Sequence, residues 1–269
     1  MTRLGIIGGG NMSEAVLAGI IKTKLLAPER ITVSDVKEER LEHLAKRYGV
    51  KTTRDNLIVM RESDTVILAV KPQQMKEVLD EVAQVSADHL LIISMAAGIP
   101  IRYIESRLGR SVPVIRVMPN APALVRETAA AIAMGSSATT SHRDMVMALF
   151  NAIGQAVAVS EDQMDAVTAL SGSGPAYVCS MVEAMVEAGV AEGITEDVAR
   201  ELVIQTVYGT AHMLGQTLES PDLVCKRVAS PGGTTEAGMK VLDEKNWKAI
   251  LKEAIHAARV RAEELAESA

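Results

Sequence analysis

The sequence predicts an α/β protein in two parts, a doubly wound and largely parallel sheet followed by an all-helical half, on three observations. Short apolar runs alternate with amphipathic ones from Leu4 to about Val159, which is the rhythm of strands joined by crossover helices. After Ser160 the strand signals stop, and the chain reads as helices rich in Ala, Met, Val and Glu. The composition is 48% hydrophobic but only 2% aromatic, with 14 Met among 269 residues, so the interior must be built from aliphatic side chains, which favours helices and parallel strands over an all-β sandwich. A chain of this length fits two ordinary domains.

Taken in order, the strand candidates are "RLGIIG", "ITVSD", "TVILAV", "LLIISM", "PVIRVMP", "AAAIAMG" and "AVAVS". Amphipathic segments at 13–22, 37–47, 74–85 and 142–153 supply helices between several of them. In the second half, Pro175 suits the first turn of a helix that follows "SGSG", and Thr195, with Glu196 and Asp197 behind it, suits a helix cap. The segment 176–190 is apolar around much of its circumference. A half-chain this short does not bury such a helix alone, so the helical half is expected to self-associate.

Charge narrows the partners. The balance of 28 basic against 34 acidic residues gives a net charge of -6 without a Lys/Arg-rich run, which argues against nucleic acid. The apolar run in "MTRLGIIGGG" is too short for a signal peptide, and none of membrane-spanning length follows; a cytoplasmic protein without a membrane partner is the expectation. Cys179 and Cys225 are expected to be buried, reduced thiols.

Chemistry is concentrated at turns. "GIIGGGNMSEA" places Gly8 and Gly10 after a strand and before a helix, where a dinucleotide pyrophosphate needs a tight turn and close backbone approach, although Ser13 stands at the third glycine of the usual pattern. Asp35 ends the second strand, where a carboxylate accepts hydrogen bonds from a ribose hydroxyl; Lys37 and Arg40 stand close enough to attract a 2′-phosphate instead. Asp35 is nearest the strand end, which leans towards appreciable use of NADH. Three further loops, "AVKPQ", "SMAAGIP" and "RVMPNAPA", each follow an apolar strand, and such loops line one cleft in an open α/β sheet. Finally, "ASPGGTTEAGMKVLDE" opens a helix with a proline, glycines and hydroxyls, which exposes N–H and O–H donors to a small anion.

With these pieces in place, the chain resembles the pyrroline-5-carboxylate reductases over essentially its whole length. The resemblance is carried by "IGGGNM", "AVKPQ", "AAGI", "RVMPNAPA", "SGSGPAY" and "SPGGTTEAG", in the family's order, with Ser13 and Met239 as departures. It implies a Rossmann-like dinucleotide-binding domain over 1–160 and a helical dimerisation and substrate domain over 161–269. The implied reaction is reduction of L-1-pyrroline-5-carboxylate to L-proline by NADPH or NADH, in a homodimer or a larger homo-oligomer. Gly8, Gly10, Asn11 and Met12 would meet the pyrophosphate region and Asn56 the adenosine side. Ala69, Lys71, Pro72, Ala97 and Asn120 would lie along the ribose and nicotinamide. Ser230, Gly233, Thr234 and Thr235 would hold the substrate carboxylate, with Thr235 and Lys71 as the catalytic candidates.

Hydride attack on a C=N carbon is helped by a protonated nitrogen, and that proton can come from solution. The five histidines, His43, His89, His142, His212 and His256, lie outside the motifs, and no lysine occurs between Ser160 and Cys225. Both facts disfavour the runner-up enzyme, a β-hydroxyacid-type or other imine reductase that needs a His or Lys proton donor. A non-catalytic dinucleotide-binding regulator is the alternative from another class.

Overall fold

The computed structural model describes residues 3–85, 90–108 and 112–267, so His89 lies outside the described residues. Among them, chain contacts separate two units, residues 1–173 with 258–269, and residues 174–257.

The first unit is built on an eight-stranded sheet in the order β3-β2-β1-β4-β5-β6-β7-β8. Its strands are β1 (Leu4–Ile7), β2 (Ile31–Ser34), β3 (Lys51–Thr53), β4 (Thr65–Leu68), β5 (Leu91–Ser94), β6 (Val114–Met118), β7 (Thr128–Met134) and β8 (Gly154–Ala158). All neighbours pair in parallel except β6 and β7. The order reverses at β1, which lies between β2 and β4, and that reversal opens a crevice at the carboxyl ends of the three strands.

Alternation along each strand sends side chains to opposite faces. Leu4, Ile6, Ile31, Val33, Ile67, Ile93 and Ile115 point into one core, which is completed by α1 (Asn11–Lys22), α2 (Glu38–Tyr48) and, after β7, α6 (Thr140–Asn151). Ile7, Val66, Leu68, Ile92 and Val114 point into the other. That side is covered by α3 (Asn56–Glu62), α4 (Met75–Val82), α5 (Ile101–Leu108) and α7 (Met164–Val167). Helices therefore lie on both faces, as the sequence predicts. Three elements escape the apolar pattern. Strand β3 is a short edge reading Lys-Thr-Thr, while α3 and α5 span only about two turns each.

The second unit holds α8 (Gly174–Ala191), α9 (Glu196–Thr217), α10 (Pro221–Val228) and α11 (Thr234–Glu244), together with the first part of α12 (Trp247–Glu267). No residue of α8 is buried, although its sequence is apolar. Both cysteines are free thiols, but the expectation of burial fails: Cys179 is exposed and Cys225 half-buried. They sit on helices whose apolar faces a single chain leaves open. Among the described residues no helix is long and apolar enough to cross a membrane.

Candidate active site

The crevice starts at the turn after β1. Gly8 has φ +101°, a region that favours glycine, and a Cβ there would lie 2.7 Å from the carbonyl oxygen of Ala69. A Cβ on Gly10 would meet nothing within 4 Å, so the backbone at this point faces open space. Gly10 is also the N-cap of α1 and offers no side-chain acceptor, so the first-turn N–H groups of that helix remain available to an anion. Ser13, which replaces the third glycine, is buried and donates its hydroxyl to the carbonyl oxygen of Gly8. The departure from the usual pattern thus braces the turn.

The Gly9 peptide is held from both sides. Its N–H donates to Asp35 Oδ2 at 2.7 Å, and Arg40 Nε donates to its carbonyl oxygen at 2.9 Å. The other Asp35 oxygen accepts the backbone N–H of Lys37 at 2.9 Å. Arg40 continues to Glu14 on α1 at 2.8 Å, and Glu14 also accepts from Tyr48 at 3.1 Å and pairs with His43 at 2.9 Å. Burial works against the charged form of Glu14, but the bonds from His43, Arg40 and Tyr48 outweigh it and hold the carboxyl down at about 2. Burial and the Glu14 carboxylate push the Tyr48 hydroxyl up. Sequence reasoning overlooked Glu14. It meets partners on α2 26 to 34 residues away, and no local pattern encodes that meeting.

A cleft of about 760 Å³ opens beyond this turn, and Gly8, Gly10, Asn11, Asp35, Asn56, Ala69 and Lys71 line it. Asn56 is fixed at its base, accepting from the Ser34 hydroxyl and donating to Glu81, both at 2.7 Å. Lys71 is exposed in the loop after β4, followed by Pro72 at the start of a 3₁₀ turn. Met12 is half-buried against the core instead of lining the cleft. Ala97 is exposed in the loop after β5, and its neighbour Gly98 has φ +72°.

The side chain of Asn120 is engaged within the protein. Its Oδ1 accepts from the Thr128 hydroxyl and the Ala129 N–H, each at 3.0 Å, and its Nδ2 donates to the Ser171 carbonyl at 3.0 Å. The amide ties the loop after β6 to β7 and to the π-turn Thr168–Gly172, leaving the backbone of the loop as the part free to meet a ligand. Arg116 on the same strand is buried and donates to Glu161 at 3.0 Å, while Glu161 also accepts the first N–H of α5, that of Ile101, at 2.9 Å. Sequence reasoning named neither partner.

In the second unit, the turn before α11 is shaped by its glycines. Gly232 has φ +71°, and a Cβ on Gly233 would lie 2.6 Å from Ser230 Oγ. Gly233 caps α11 without a side-chain acceptor, so the donors of the first helical turn face outward. Gly233 borders an open depression of about 690 Å³; Thr235 is half-buried, and Ser230 and Thr234 are exposed. Among the described residues, the hydroxyls of Thr234 and Thr235 have no protein partner. Glu236 reaches back to the Gly232 N–H at 2.7 Å. Its place three residues after the N-cap is the capping-box position, a signal that could have identified it from the sequence.

Three of the histidines take structural places. His43 joins Glu14, His142 caps α6 with Thr139, and His212 stacks on Tyr208 at 5.9 Å between ring centroids. Among the described residues, no histidine lines the cleft or the depression beside α11.

Comparison with known proteins places this geometry. A family model described as pyrroline-5-carboxylate reductase dimerisation matches residues 161–265, and one described as NADP oxidoreductase, coenzyme F420-dependent, matches residues 3–98. The pyrroline-5-carboxylate reductase of Methanosarcina acetivorans is 41% identical over 263 residues, covering 98% of this chain and 97% of that protein. A solved pyrroline-5-carboxylate reductase from Coxiella burnetii superposes with a TM-score of 0.93 at 37% identity, over 98% of each chain. The Plasmodium falciparum pyrroline carboxylate reductase, solved with NADP bound, gives a TM-score of 0.88 at 27% identity, again over 98% of each chain.

Proposed function

The chain belongs to the pyrroline-5-carboxylate reductase family, and from that premise we infer its reaction. It reduces L-1-pyrroline-5-carboxylate to L-proline, the last step of proline synthesis, with NAD(P)H as cofactor. One observation supports the reading above the others: a helix start without a side-chain cap, behind a turn that only glycine can form, faces an open cleft at the reversal of the strand order.

Residue roles follow from the same chemistry. The first-turn N–H groups at Asn11 and Met12, with the backbone of Gly8 and Gly10, hold the pyrophosphate. Asp35 and Asn56 border the adenosine ribose; Ala69, Lys71, Pro72, Ala97 and the backbone of Asn120 border the nicotinamide side. The bound cofactor supplies the hydride. Ser230, Gly233, Thr234 and Thr235 hold the substrate carboxylate through hydroxyl and N–H donors, and Thr235 and Lys71 are the side chains nearest the chemistry. Catalysis is mainly orientation, because the imine nitrogen takes its proton from solvent and needs no buried acid.

Residues 1–160 form the cofactor domain and 161–269 the substrate and dimerisation domain of a cytoplasmic homodimer, which larger assemblies could extend. The net charge of -6 and the lack of a Lys/Arg-rich run support a reading without a nucleic-acid partner. The reaction is tested by following NAD(P)H absorbance with pyrroline-5-carboxylate. Loss of absorbance with proline formed in equal amount is the expected result. Dinucleotide binding without turnover would replace this reading with that of a regulator.

A further inference from the structure

We propose that this chain selects NADH over NADPH, through the bracket that Asp35 and Arg40 form around the Gly9 peptide. The inference rests on the reading of the cleft as the dinucleotide site. In the sequence the two residues oppose each other, one acid against one base, and the place of Asp35 nearest the strand end gives only a lean. Their contacts do decide.

Arg40 is committed elsewhere. Its Nε holds the Gly9 carbonyl at 2.9 Å and its Nη2 holds Glu14 at 2.8 Å, and that carboxylate neutralises the guanidinium charge at contact distance. To reach a 2′-phosphate, Arg40 would have to release both the glycine turn and Glu14.

Asp35 is fixed in the opposite sense. Each of its oxygens takes one backbone N–H, from Gly9 and from Lys37. An ionised carboxylate has roughly four lone-pair sites, so about two remain. Those can accept ribose hydroxyls. A phosphate dianion offers no proton to them and meets instead an immobile negative charge on a half-buried residue at the strand end.

The other charged groups in the cleft do not reverse this. Lys37 and Arg54 are exposed, so water and salt weaken their pull on a phosphate. Glu77 and Glu81 line the same cleft and add negative charge.

The test is equilibrium binding of NADH and of NADPH to the full chain without imine substrate, in the wild type, Asp35→Asn and Arg40→Met. Asparagine keeps an acceptor for the Gly9 N–H while removing the charge, which separates repulsion from loss of the turn. The wild type should bind NADH at least tenfold more tightly, and Asp35→Asn should move the ratio about tenfold towards NADPH, about 1.4 kcal/mol. Arg40→Met should weaken both nucleotides alike, as the removal of a brace does. Wild-type preference for NADPH, an unchanged ratio in Asp35→Asn, or loss of NADPH binding alone in Arg40→Met would each overturn the proposal. Binding of neither nucleotide would overturn the reading of the cleft itself and this inference with it.

Discussion

A single carboxylate shows how much one side chain contributes to the cleft. Glu14 is held at about 2, below its ordinary value of 4.5, so its ion pairs stabilise the fold fully above pH 4.5 and are lost as pH falls through 2. Solvent reaching the cluster screens it, leaving on the order of 1–2 kcal/mol. Glu14→Gln should therefore lower the free energy of unfolding by about that amount at neutral pH, and the variant's stability should depend less steeply on pH between these limits. Urea titrations at pH 7, 4 and 2.5 check it, and equal steepness in both proteins would refute it. Thr235 tests the substrate cradle in the same way. Removing a hydrogen bond to a charged group costs about 1.5–3 kcal/mol, so Thr235→Ala should lower kcat/KM by roughly ten- to a hundredfold. Affinity for the dinucleotide should not change, because the threonine lies outside the sheet unit. Near-native kcat/KM would remove Thr235 from the site.

Among the elements, α1 carries the site and must lie close to its neighbours to do so. A Cβ on Gly19 would lie 2.0 Å from Ile153 Cγ2 and 3.1 Å from the Ala152 carbonyl oxygen, and Ile153 is fully buried. Gly19→Ala gains about 1 kcal/mol of helix propensity. Overpacking costs about 1–3 kcal/mol, so the net effect should be a loss. Thermal unfolding of the variant should fall by several degrees, whereas a Tm at or above wild type would show that α1 can shift. Sequence legibility divides along the same line. Helix α1 and the glycine turn were readable from "GIIGGGNMSEA" because a turn and a helix start are encoded locally. Strand β3 and helix α3 were not, because a polar edge strand and a two-turn helix draw their stability from the sheet they join. The partners of the Asn120 side chain were not readable for a related reason. A loop motif marks a position, but only the fold brings Thr128 and Ser171 within reach of the amide.

At the scale of the whole molecule, the family's dimerisation model and the open apolar surface agree that the protein is a homo-oligomer. In the single chain Ile204 is 53% exposed and Tyr208 61%, one turn apart on α9. Burying such a side chain is worth about 1.5–3 kcal/mol. Ile204→Glu combined with Tyr208→Glu should therefore weaken self-association at least about a hundredfold. Sedimentation at micromolar concentration should show the wild type as a dimer or larger species and the double variant shifted towards monomer. A monomeric wild type would reject the dimer; an unshifted variant would place the interface on another face of the helical unit.

By itself the sequence determined the fold class, the division into a sheet half and a helical half, and the turns at Gly8–Gly10 and Ser230–Thr235. Periodicity, helix starts and glycine turns are local physics, written in a few consecutive residues. Only the tertiary structure decided which charges are free to act. Asp35 and Arg40 read in the sequence as an acid and a base open to a ligand, and folding converts them into a bracket that Glu14 anchors. That outcome depends on hydrogen bonds spanning 26 to 31 residues, a distance over which composition and spacing carry no information about contact.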